Sequence, residues 1–334
     1  MPSILLAAIY AAPIATAVIV IWLKSRKDKA VRMAAKARDI DGKVVIITGA
    51  NCGIGYATVA ELAKRGAVVV LACRNLATGQ AALNQLSHDV YGNDKAASTG
   101  KLHLLRVDLN SLQSVQDFSR EFKSQFDRLD MLINNAGIMG KGYALSTDGF
   151  EQHFAVNHLG HFYLTNLLMD MLKKTKGSRI INVSSGYYLK ATSADFEDLT
   201  SVQSPSGFKP MQAYARSKLA NCLHVVELCN RLKNEQVSVF ALRPGFVRGT
   251  QLGRHFNQFL LTLATPLIWF FSKDVNQGIQ TVLHCALADD KELESGALYN
   301  DCRKEEYSML VSDDNARKLW NLSEQLVSSK VKQA

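Results

Sequence analysis

The sequence predicts an α/β fold: a doubly wound parallel sheet with helices on both faces, preceded by a transmembrane helix at the N-terminus. Two observations support this prediction. From Asp41 onward, short apolar runs alternate with segments of helical periodicity, as in a parallel sheet whose strands are joined by helices. Before Asp41, the chain carries a long apolar segment.

The N-terminal segment is long enough to cross a bilayer. Ile4 to Leu23 contains no charged residue and, as a helix, would span roughly 30 Å. A cleaved signal peptide usually carries its positive charges before the apolar run, whereas here they follow it. The pattern therefore favours an uncleaved membrane anchor at residues 1–23.

The net charge of +9 is concentrated directly after this anchor. Between Lys24 and Lys43, eight basic residues face three acidic ones, which accounts for five of the nine excess positive charges. Such a cluster beside an apolar span is typical of a membrane-proximal linker, here residues 24–40, and argues against a nucleic-acid site. The positive-inside rule then puts residue 24 onward in the cytosol. The six cysteines form no CxxC pair and agree with a reducing compartment.

A single catalytic domain is expected over residues 41–334, and it begins with the strand Lys43–Thr48. Helical periodicity over Ile54–Arg65 follows, closed by Gly66. The further strands are predicted at Val68–Cys73, Leu102–Val107, Met131–Asn134, Arg179–Val183 and Val237–Leu242. Helices are predicted around 111–126, 149–175 and 212–234.

The turn after the first strand predicts a dinucleotide site. It reads Thr48-Gly49-Ala50-Asn51-Cys52-Gly53-Ile54-Gly55 and leads from a buried strand into a helix. Gly49 permits the tight turn, Gly53 lets the backbone approach a pyrophosphate, and Gly55 lets the helix pack against the strand. The helix N-terminus offers free N–H groups to the phosphates, so the sheet is expected to be Rossmann-type.

The end of the second strand predicts which dinucleotide binds. NAD enzymes usually place an acidic residue there for the ribose hydroxyl, but this chain has Cys73-Arg74-Asn75. Arg74 can pair with a 2′-phosphate, which favours NADP(H). Asp108-Leu109, which closes the third strand, is a candidate contact for the adenine.

Tyr214 and Lys218 are spaced for the reduction of a carbonyl group. Four residues apart, they share one face of a helix. The bound dinucleotide would supply a hydride and the tyrosine a proton, while the ammonium lowers the tyrosine pKa toward the working pH. Tyr–Lys pairs at this spacing are common on helices, so the interpretation depends on the glycine turn and on the other motifs of the chain.

The combined motifs resemble the short-chain dehydrogenase/reductase family from about Gly42 to the C-terminus. The chain carries TGxxxGxG, Asn134-Asn135-Ala136-Gly137 and Tyr214-Ala215-Arg216-Ser217-Lys218 in family order. Four further stretches look like the microsomal, NADP-preferring retinol dehydrogenase group: Ala72–Arg74, Val156–Phe162, Ser217–Asn221 and Leu319–Asn321. One departure is Arg243 before Pro244-Gly245, where many relatives carry histidine.

The resemblance implies roles for further residues. Ser185, rather than Ser184, would hydrogen-bond the substrate oxygen, and Asn157 would order a water in a proton relay toward Lys218. Asn134 would stabilise the central strands. The residues expected to line the cofactor site are Gly49, Asn51, Gly53, Ile54, Gly55, Arg74, Asp108, Leu109, Asn135, Ala136, Gly137, Tyr214, Lys218, Pro244, Gly245, Val247 and Thr250.

The substrate side of the sequence is apolar. Tyr187, Tyr188, Phe196 and Phe208, between the catalytic serine and tyrosine, are expected on one wall of the pocket. The apolar run 256–271 lies within a lid segment at 250–275 and leaves two interpretations open. It is either a buried helix pair over the active site or, as we prefer, a lid that also touches the membrane surface. His153, His158 and His161 resemble a metal cluster, but no acidic partner completes a ligand set, so no metal is expected.

The expected protein is an NADP(H)-dependent oxidoreductase of the endoplasmic reticulum or another intracellular membrane, facing the cytosol. It would interconvert a lipophilic aldehyde or ketone and its alcohol, with retinal and retinol as the leading pair. The same chemistry on a sterol or another lipid carbonyl, and a non-catalytic NADP-binding adaptor, stay as alternatives. The resemblance also leaves a homodimer open.

Overall fold

The computed structural model describes residues 39–92, 101–193, 206–250, 252 and 272–331. Its centre is a sheet of eight strands. These are β1 Val44–Thr48, β2 Val68–Cys73, β3 Leu102–Arg106, β4 Met131–Asn134, β5 Ser178–Val183, β6 Val237–Arg243, β7 Leu298–Asn300 and β8 Arg303–Glu305. All six strands predicted from the sequence are present, with ends that differ by at most one residue.

The strand order is β3-β2-β1-β4-β5-β6-β7-β8, and only the last pair is antiparallel. The chain moves outward in one direction from β1 to β3 and in the other direction from β4 to β7. This reversal between β1 and β4 creates a crevice at the carboxyl ends of the strands, where ligands bind in sheets of this kind. The predicted Rossmann-type parallel sheet is therefore confirmed.

Helices flank the sheet and connect its strands. They are α1 Gly53–Ala63, α2 Leu76–Tyr91, α3 Leu112–Gln125, α4 Gln152–Phe154, α5 Gly160–Lys174, α6 Pro210–Arg231, α7 Val275–Gly278, α8 Gln280–Leu287 and α9 Asp313–Lys330. A π-helical turn, Ala155–Leu159, joins α4 to α5, and a 3-10 turn, Gly186–Lys190, follows β5. The two shortest strands, helix α2 and the last three helices have no counterpart among the sequence predictions.

The core lies on both faces of the sheet because successive side chains of a strand point in opposite directions. In β1, Val44 and Ile46 belong to the cluster that α3, α5, α6 and α9 cover. Val45 and Ile47 belong to the opposite cluster, which α1 and α8 cover. Burial on both faces explains why the central strands are almost continuously apolar.

The described residues contain no helix that is both long and apolar enough to cross a membrane. The predicted anchor at 1–23, all but the last two residues of the basic linker at 24–40, and the apolar run 256–271 lie outside the described residues.

Candidate active site

The glycine turn between β1 and α1 is tightly enclosed by other backbone. Gly49 has φ +65°, and a Cβ there would lie 3.0 Å from Ala136 Cα. At Gly55 a Cβ would lie 2.3 Å from the carbonyl oxygen of Gly49, which no side chain tolerates. Gly53 has φ +57°, and its missing Cβ would contact Thr250 at 3.3 Å. The contact at Gly55 fits the predicted close packing of the helix against the strand, while the approach of a pyrophosphate at Gly53 stays a prediction.

The N-terminus of α1 has the chemistry of an anion site. Helix α1 starts at Gly53, and Ile54 lies in its first turn. Within the described chain, the residue before it, Cys52, makes no side-chain capping bond to the helix. The first-turn N–H groups and the helix dipole are thus directed at the crevice, which fits a dinucleotide pyrophosphate.

The end of β2 presents a cation beside this turn. Arg74 is exposed and follows the strand directly. Asn75 caps α2 by accepting from Thr78 N at 3.1 Å, and Thr78 Oγ1 accepts from Asn51 Nδ2 at 3.2 Å. Asn51 therefore joins the glycine turn to the loop that carries Arg74.

Asp108 and Leu109 close the loop after β3. Asp108 Oδ1 accepts from Asn110 N at 3.1 Å, and Asp108 N donates to Ser114 Oγ at 2.9 Å. Leu109 is buried, and its carbonyl oxygen lies 2.7 Å from where a Cβ on Gly160 would be. These contacts hold the loop in shape, while contact with an adenine stays a prediction.

The turn after β4 lies between the glycine turn and the catalytic candidates. Thr48 Oγ1 accepts from the backbone N–H groups of Asn135 and Ala136, each at 2.9 Å. Asn135 Nδ2 donates to Thr48 O at 2.8 Å. A Cβ on Gly137 would lie 3.2 Å from Asn157 Oδ1 and 3.5 Å from Lys218 Nζ.

Asn134, one residue earlier, joins the two central strands as expected. Its Nδ2 donates to Asn182 Oδ1 on β5 at 2.8 Å and to Thr165 Oγ1 at 3.1 Å. This buried pair of amides fixes β4 against β5 beneath the turn.

Tyr214, Lys218 and Ser185 meet at the carboxyl end of β5. Tyr214 and Lys218 are buried on α6, with Nζ 5.8 Å from the centre of the tyrosine ring. Lys218 Nζ donates to Val183 O at 2.9 Å. The side chains of Ser185 and Tyr214 are hydrogen-bonded to each other. Ser184 instead donates to the Lys218 carbonyl oxygen at 2.8 Å, so the two serines face different partners.

Asn157 lies in the π-helical turn before α5 and is completely buried. Its Oδ1 accepts from Ile138 N at 2.8 Å, and its Nδ2 donates to Ile138 O at 3.0 Å and to Ser217 Oγ at 2.8 Å. Ser217 in turn donates to the Tyr214 carbonyl oxygen at 2.7 Å. Single π turns recur at functional sites because they redirect one side chain out of the helical register. Asn157 is thereby held between the turn after β4 and α6.

Burial shifts the pKa values of the central pair in opposite directions. It raises the pKa of Tyr214 to about 12, although the hydrogen bond from Ser185 acts the other way. It lowers the pKa of Lys218 to about 8. The expectation that the ammonium lowers the tyrosine pKa is thus wrong for this structure, since loss of solvent outweighs the other effects on the phenol. Tyr214 is therefore neutral at physiological pH.

The segment from Pro244 to Thr250 runs beside the glycine turn. Gly245 has φ +85°, and Val247 forms a bridge with Lys273. Lys273 Nζ donates to Pro244 O at 3.1 Å and pairs with Asp301 on the β7–β8 hairpin. The side chain of Thr250 lies 3.3 Å from the Cβ position of Gly53.

Of the four aromatic side chains expected on the pocket wall, one, Tyr187, lies beside Tyr214. Tyr187 is 44% exposed, and its ring centre lies 5.9 Å from that of Tyr214. Phe208 contacts Tyr143 with 5.4 Å between ring centres. Tyr188 does not fit the expectation: it is 1% exposed and its hydroxyl accepts from Ser308 N at 3.2 Å, so it belongs to the core. Phe196 lies outside the described residues.

The structure also brings in residues that sequence reasoning missed. Thr48 organises the turn after β4, Ser217 holds Asn157, and Lys273 fixes the segment after β6. Arg243, the departure from the family pattern, pairs with Glu305 on β8 and lies 3.3 Å from the Cβ position of Gly186.

The three histidines have separate partners: His153 contacts Glu151, His158 contacts Ser323, and His161 contacts Thr48. Motif spacing carries no signal for most of these contacts, which join distant parts of the chain; His153 and Glu151 are the exception, since they are two residues apart.

Comparisons with known proteins agree with this geometry. Residues 43–194 match the family model of the short chain dehydrogenases. Mouse retinol dehydrogenase 14 is 42% identical over 92% of this chain and 94% of its own length. Mouse retinol dehydrogenase 12 is 41% identical over 86% of this chain and 87% of its own.

A solved structure extends the likeness to the fold. An uncharacterised protein from Mycobacterium paratuberculosis superposes with a TM-score of 0.69 at 31% identity, covering 90% of this chain and 99% of the other. The chain therefore belongs to the short-chain dehydrogenase/reductase family, among the retinol dehydrogenase-like members, and is an oxidoreductase that acts on CH–OH groups.

Proposed function

We propose that this protein reduces all-trans-retinal to retinol with NADPH. The observation that carries the proposal is the meeting of Tyr214, Ser185, Lys218 and Asn157 beside the turn at Gly137, next to a glycine-lined dinucleotide crevice. Such an arrangement supplies a proton, a hydrogen bond to the substrate oxygen and a cation at one point.

Each side chain has a distinct task in the proposed reaction. The bound dinucleotide supplies a hydride to the carbonyl carbon. Tyr214, held neutral by burial, donates its proton to the carbonyl oxygen, and Ser185 hydrogen-bonds that oxygen. The Lys218 ammonium stabilises the tyrosinate that remains. Asn157 connects Lys218 to the relay that restores the proton.

The preference for NADP(H) rests on Arg74. The residue is exposed at the end of β2, and the positions beside it, Cys73 and Asn75, carry no acid that would repel a 2′-phosphate. A charge-assisted hydrogen bond to a phosphate stabilises binding by about 1.5–3 kcal/mol. NADP(H) is kept largely reduced in cells, so carbonyl reduction is the proposed net direction.

The lipophilic substrate is supported by the surface around the site. Tyr187, Leu189 and Phe246 are 44%, 51% and 58% exposed on the segments that follow Ser185 and Gly245. The names of the relatives specify retinol, which has the same apolar character.

The proposed location is the endoplasmic reticulum membrane, with the catalytic domain, residues 41–334, on the cytosolic side. The charge-free segment Ile4–Leu23 and the basic residues after it support an anchor in this orientation. Residues 256–271 are proposed to contact the bilayer, which would let retinoids enter the site directly from the membrane.

The decisive experiment measures retinaldehyde reduction by the full chain in microsomes, with NADPH or NADH, beside Tyr214→Phe and Arg74→Ala. We expect activity with NADPH, roughly tenfold or more above that with NADH. Tyr214→Phe should abolish turnover while NADPH still binds, because only the proton donor is lost. Arg74→Ala should remove most of the cofactor preference.

Other outcomes separate the parts of the proposal. Equal use of NADH by the unmodified protein would refute the role of Arg74. Binding of NADPH without retinaldehyde turnover would shift the substrate to a sterol or another lipid carbonyl. Binding without turnover of any carbonyl would indicate a non-catalytic adaptor.

A further inference from the structure

His161 is a buried histidine that the reaction outlined above does not use. It lies in the first turn of α5 and is 2% exposed. Its Nε2 is 2.8 Å from Thr48 Oγ1, and its Nδ1 is 3.1 Å from the carbonyl oxygen of Asn157. The ring therefore touches the residue that organises the cofactor side and the residue proposed for the proton relay.

A count of hydrogens fixes the state of this ring. Thr48 Oγ1 already accepts two backbone N–H groups, from Asn135 and Ala136, which occupies both lone pairs of a hydroxyl. Thr48 can therefore only donate along the 2.8 Å contact, so His161 Nε2 is an acceptor. A neutral imidazole with an acceptor at Nε2 carries its proton on Nδ1, which donates to Asn157 O. Burial lowers the pKa of His161 to about 3, in agreement with a neutral ring.

The alternative partner for the Thr48 proton is weak. The carbonyl oxygen of Ile133 lies 3.5 Å from Thr48 Oγ1, at the limit of a hydrogen bond. Without the histidine acceptor, the Thr48 hydroxyl would lose the contact that directs its lone pairs at the turn formed by Asn135 and Ala136.

We propose that His161 is a positioning residue, fixed as the Nδ1–H tautomer, that sets the cofactor-side turn through Thr48 and the relay residue through the Asn157 carbonyl. This inference rests on the proposed function for the role of Asn157. The two contacts leave from different ring nitrogens, so they can be removed separately.

Two substitutions remove one contact each. In His161→Asn, the amide nitrogen occupies the position of Nδ1 and can still donate to Asn157 O, but nothing reaches Thr48. In His161→Gln, the amide oxygen occupies the position of Nε2 and can still accept from Thr48, but the contact with Asn157 is lost. His158→Gln is the matched control, because His158 is equally buried but contacts Ser323 on α9.

The measurements are the dissociation constant of NADPH, kcat for the carbonyl substrate and the melting temperature. We expect His161→Asn to weaken NADPH binding roughly fivefold or more with kcat nearly unchanged. His161→Gln should lower kcat by a similar factor with NADPH affinity nearly unchanged. His158→Gln should lower only the melting temperature. Parallel changes of affinity and kcat in both His161 variants, in proportion to their loss of stability, would overturn the proposal.

The tautomer of His161 can also be measured on the unmodified protein, so this test does not require a variant to fold. With ¹⁵N-labelled histidine, the ring nitrogens of His161 should report the Nδ1–H form and show no titration between pH 5 and pH 8, an interval set by the free imidazole at about 6.5. An Nε2–H form, or titration in this range, would refute the assignment. The affinity and tautomer measurements need no turnover, so a failure of the proposed reaction would be recognised separately.

Discussion

At the glycine turn the packing leaves no space for a side chain, whereas the region around Tyr214 is held together by hydrogen bonds from many side chains. A Cβ on Gly55 would lie 2.3 Å from Gly49 O. On the catalytic side, the buried side chain of Asn157 alone makes three hydrogen bonds, two to Ile138 and one to Ser217. The cofactor side is thus formed by close backbone approach, and the catalytic side by a network of buried polar side chains.

Different kinds of substitution should disrupt the two regions. An added methyl group at Gly55 damages the backbone region because its nearest neighbour is the carbonyl oxygen of Gly49, which cannot move aside without shifting the end of β1. A removed hydroxyl or amide damages the side-chain region because its partners stay buried without a hydrogen bond. The following substitutions test this difference, beginning with the largest expected effect.

Gly55→Ala should have the largest effect. The new methyl group would force Gly49 or Asn135 to move, since Asn135 Nδ2 lies only 2.7 Å from the Cβ position. Overpacking of this kind costs about 1–3 kcal/mol or more, so NADPH affinity should fall up to roughly 100-fold. Gly142→Ala is the control, because Gly142 is exposed and its Cβ would meet nothing within 4 Å. Titration of NADPH measures both, and unchanged affinity in Gly55→Ala would refute the backbone interpretation.

The next largest effect should be the fall of the reduction rate at high pH, which tests the side-chain region. Burial lowers the pKa of Lys218 to about 8, so its charge is present below that pH and lost above it. The rate of carbonyl reduction should therefore be level up to about pH 7 and fall roughly tenfold per unit above pH 8. Tyr214 cannot cause this fall, since its raised pKa of about 12 keeps it protonated throughout.

Lys218→Arg tests whether loss of the Lys218 charge causes the fall in rate. A guanidinium keeps its charge across the whole range, so the decline near pH 8 should disappear even if the rate at neutral pH is lower. A decline that persists in Lys218→Arg would assign the titration to a different group. Initial rates of retinaldehyde reduction across pH 6–10, with NADPH saturating, provide the comparison.

The sequence predicts the cofactor side better than the catalytic side because the first is formed by neighbouring residues and the second by contacts between distant ones. The glycine turn is recognised from contiguous residues, and Arg74 from its place directly after a strand, so local spacing carries the information. The partners of Asn157 and Thr48 are distant in sequence: Ser217 is 60 residues from Asn157, and His161 is 113 from Thr48. The direction of the Tyr214 pKa shift was missed because burial is a property of the folded molecule.

The strands missed by sequence reasoning are the shortest ones. β7 and β8 have three residues each, too few for an alternation to be seen. Their turn uses Asp301 and Cys302 at φ +51° and +59°, where hairpins usually show asparagine or glycine. The hairpin nevertheless matters to the site, since Asp301 pairs with Lys273.

Ser217→Ala should have the smallest effect of the three and tests the side-chain network most directly. The substitution removes the acceptor of Asn157 Nδ2 and the donor to the Tyr214 carbonyl oxygen, while Asn157 keeps both contacts with Ile138. One buried hydrogen bond is worth about 1 kcal/mol, so kcat should fall roughly fivefold with little change in NADPH affinity. Ser184→Ala is the control, because it loses a similar buried bond to the Lys218 carbonyl oxygen without touching Asn157. If both variants lose stability but neither loses kcat, the network supports the fold and does not position the relay; a loss in Ser217→Ala alone assigns the positioning of Asn157 to this hydroxyl.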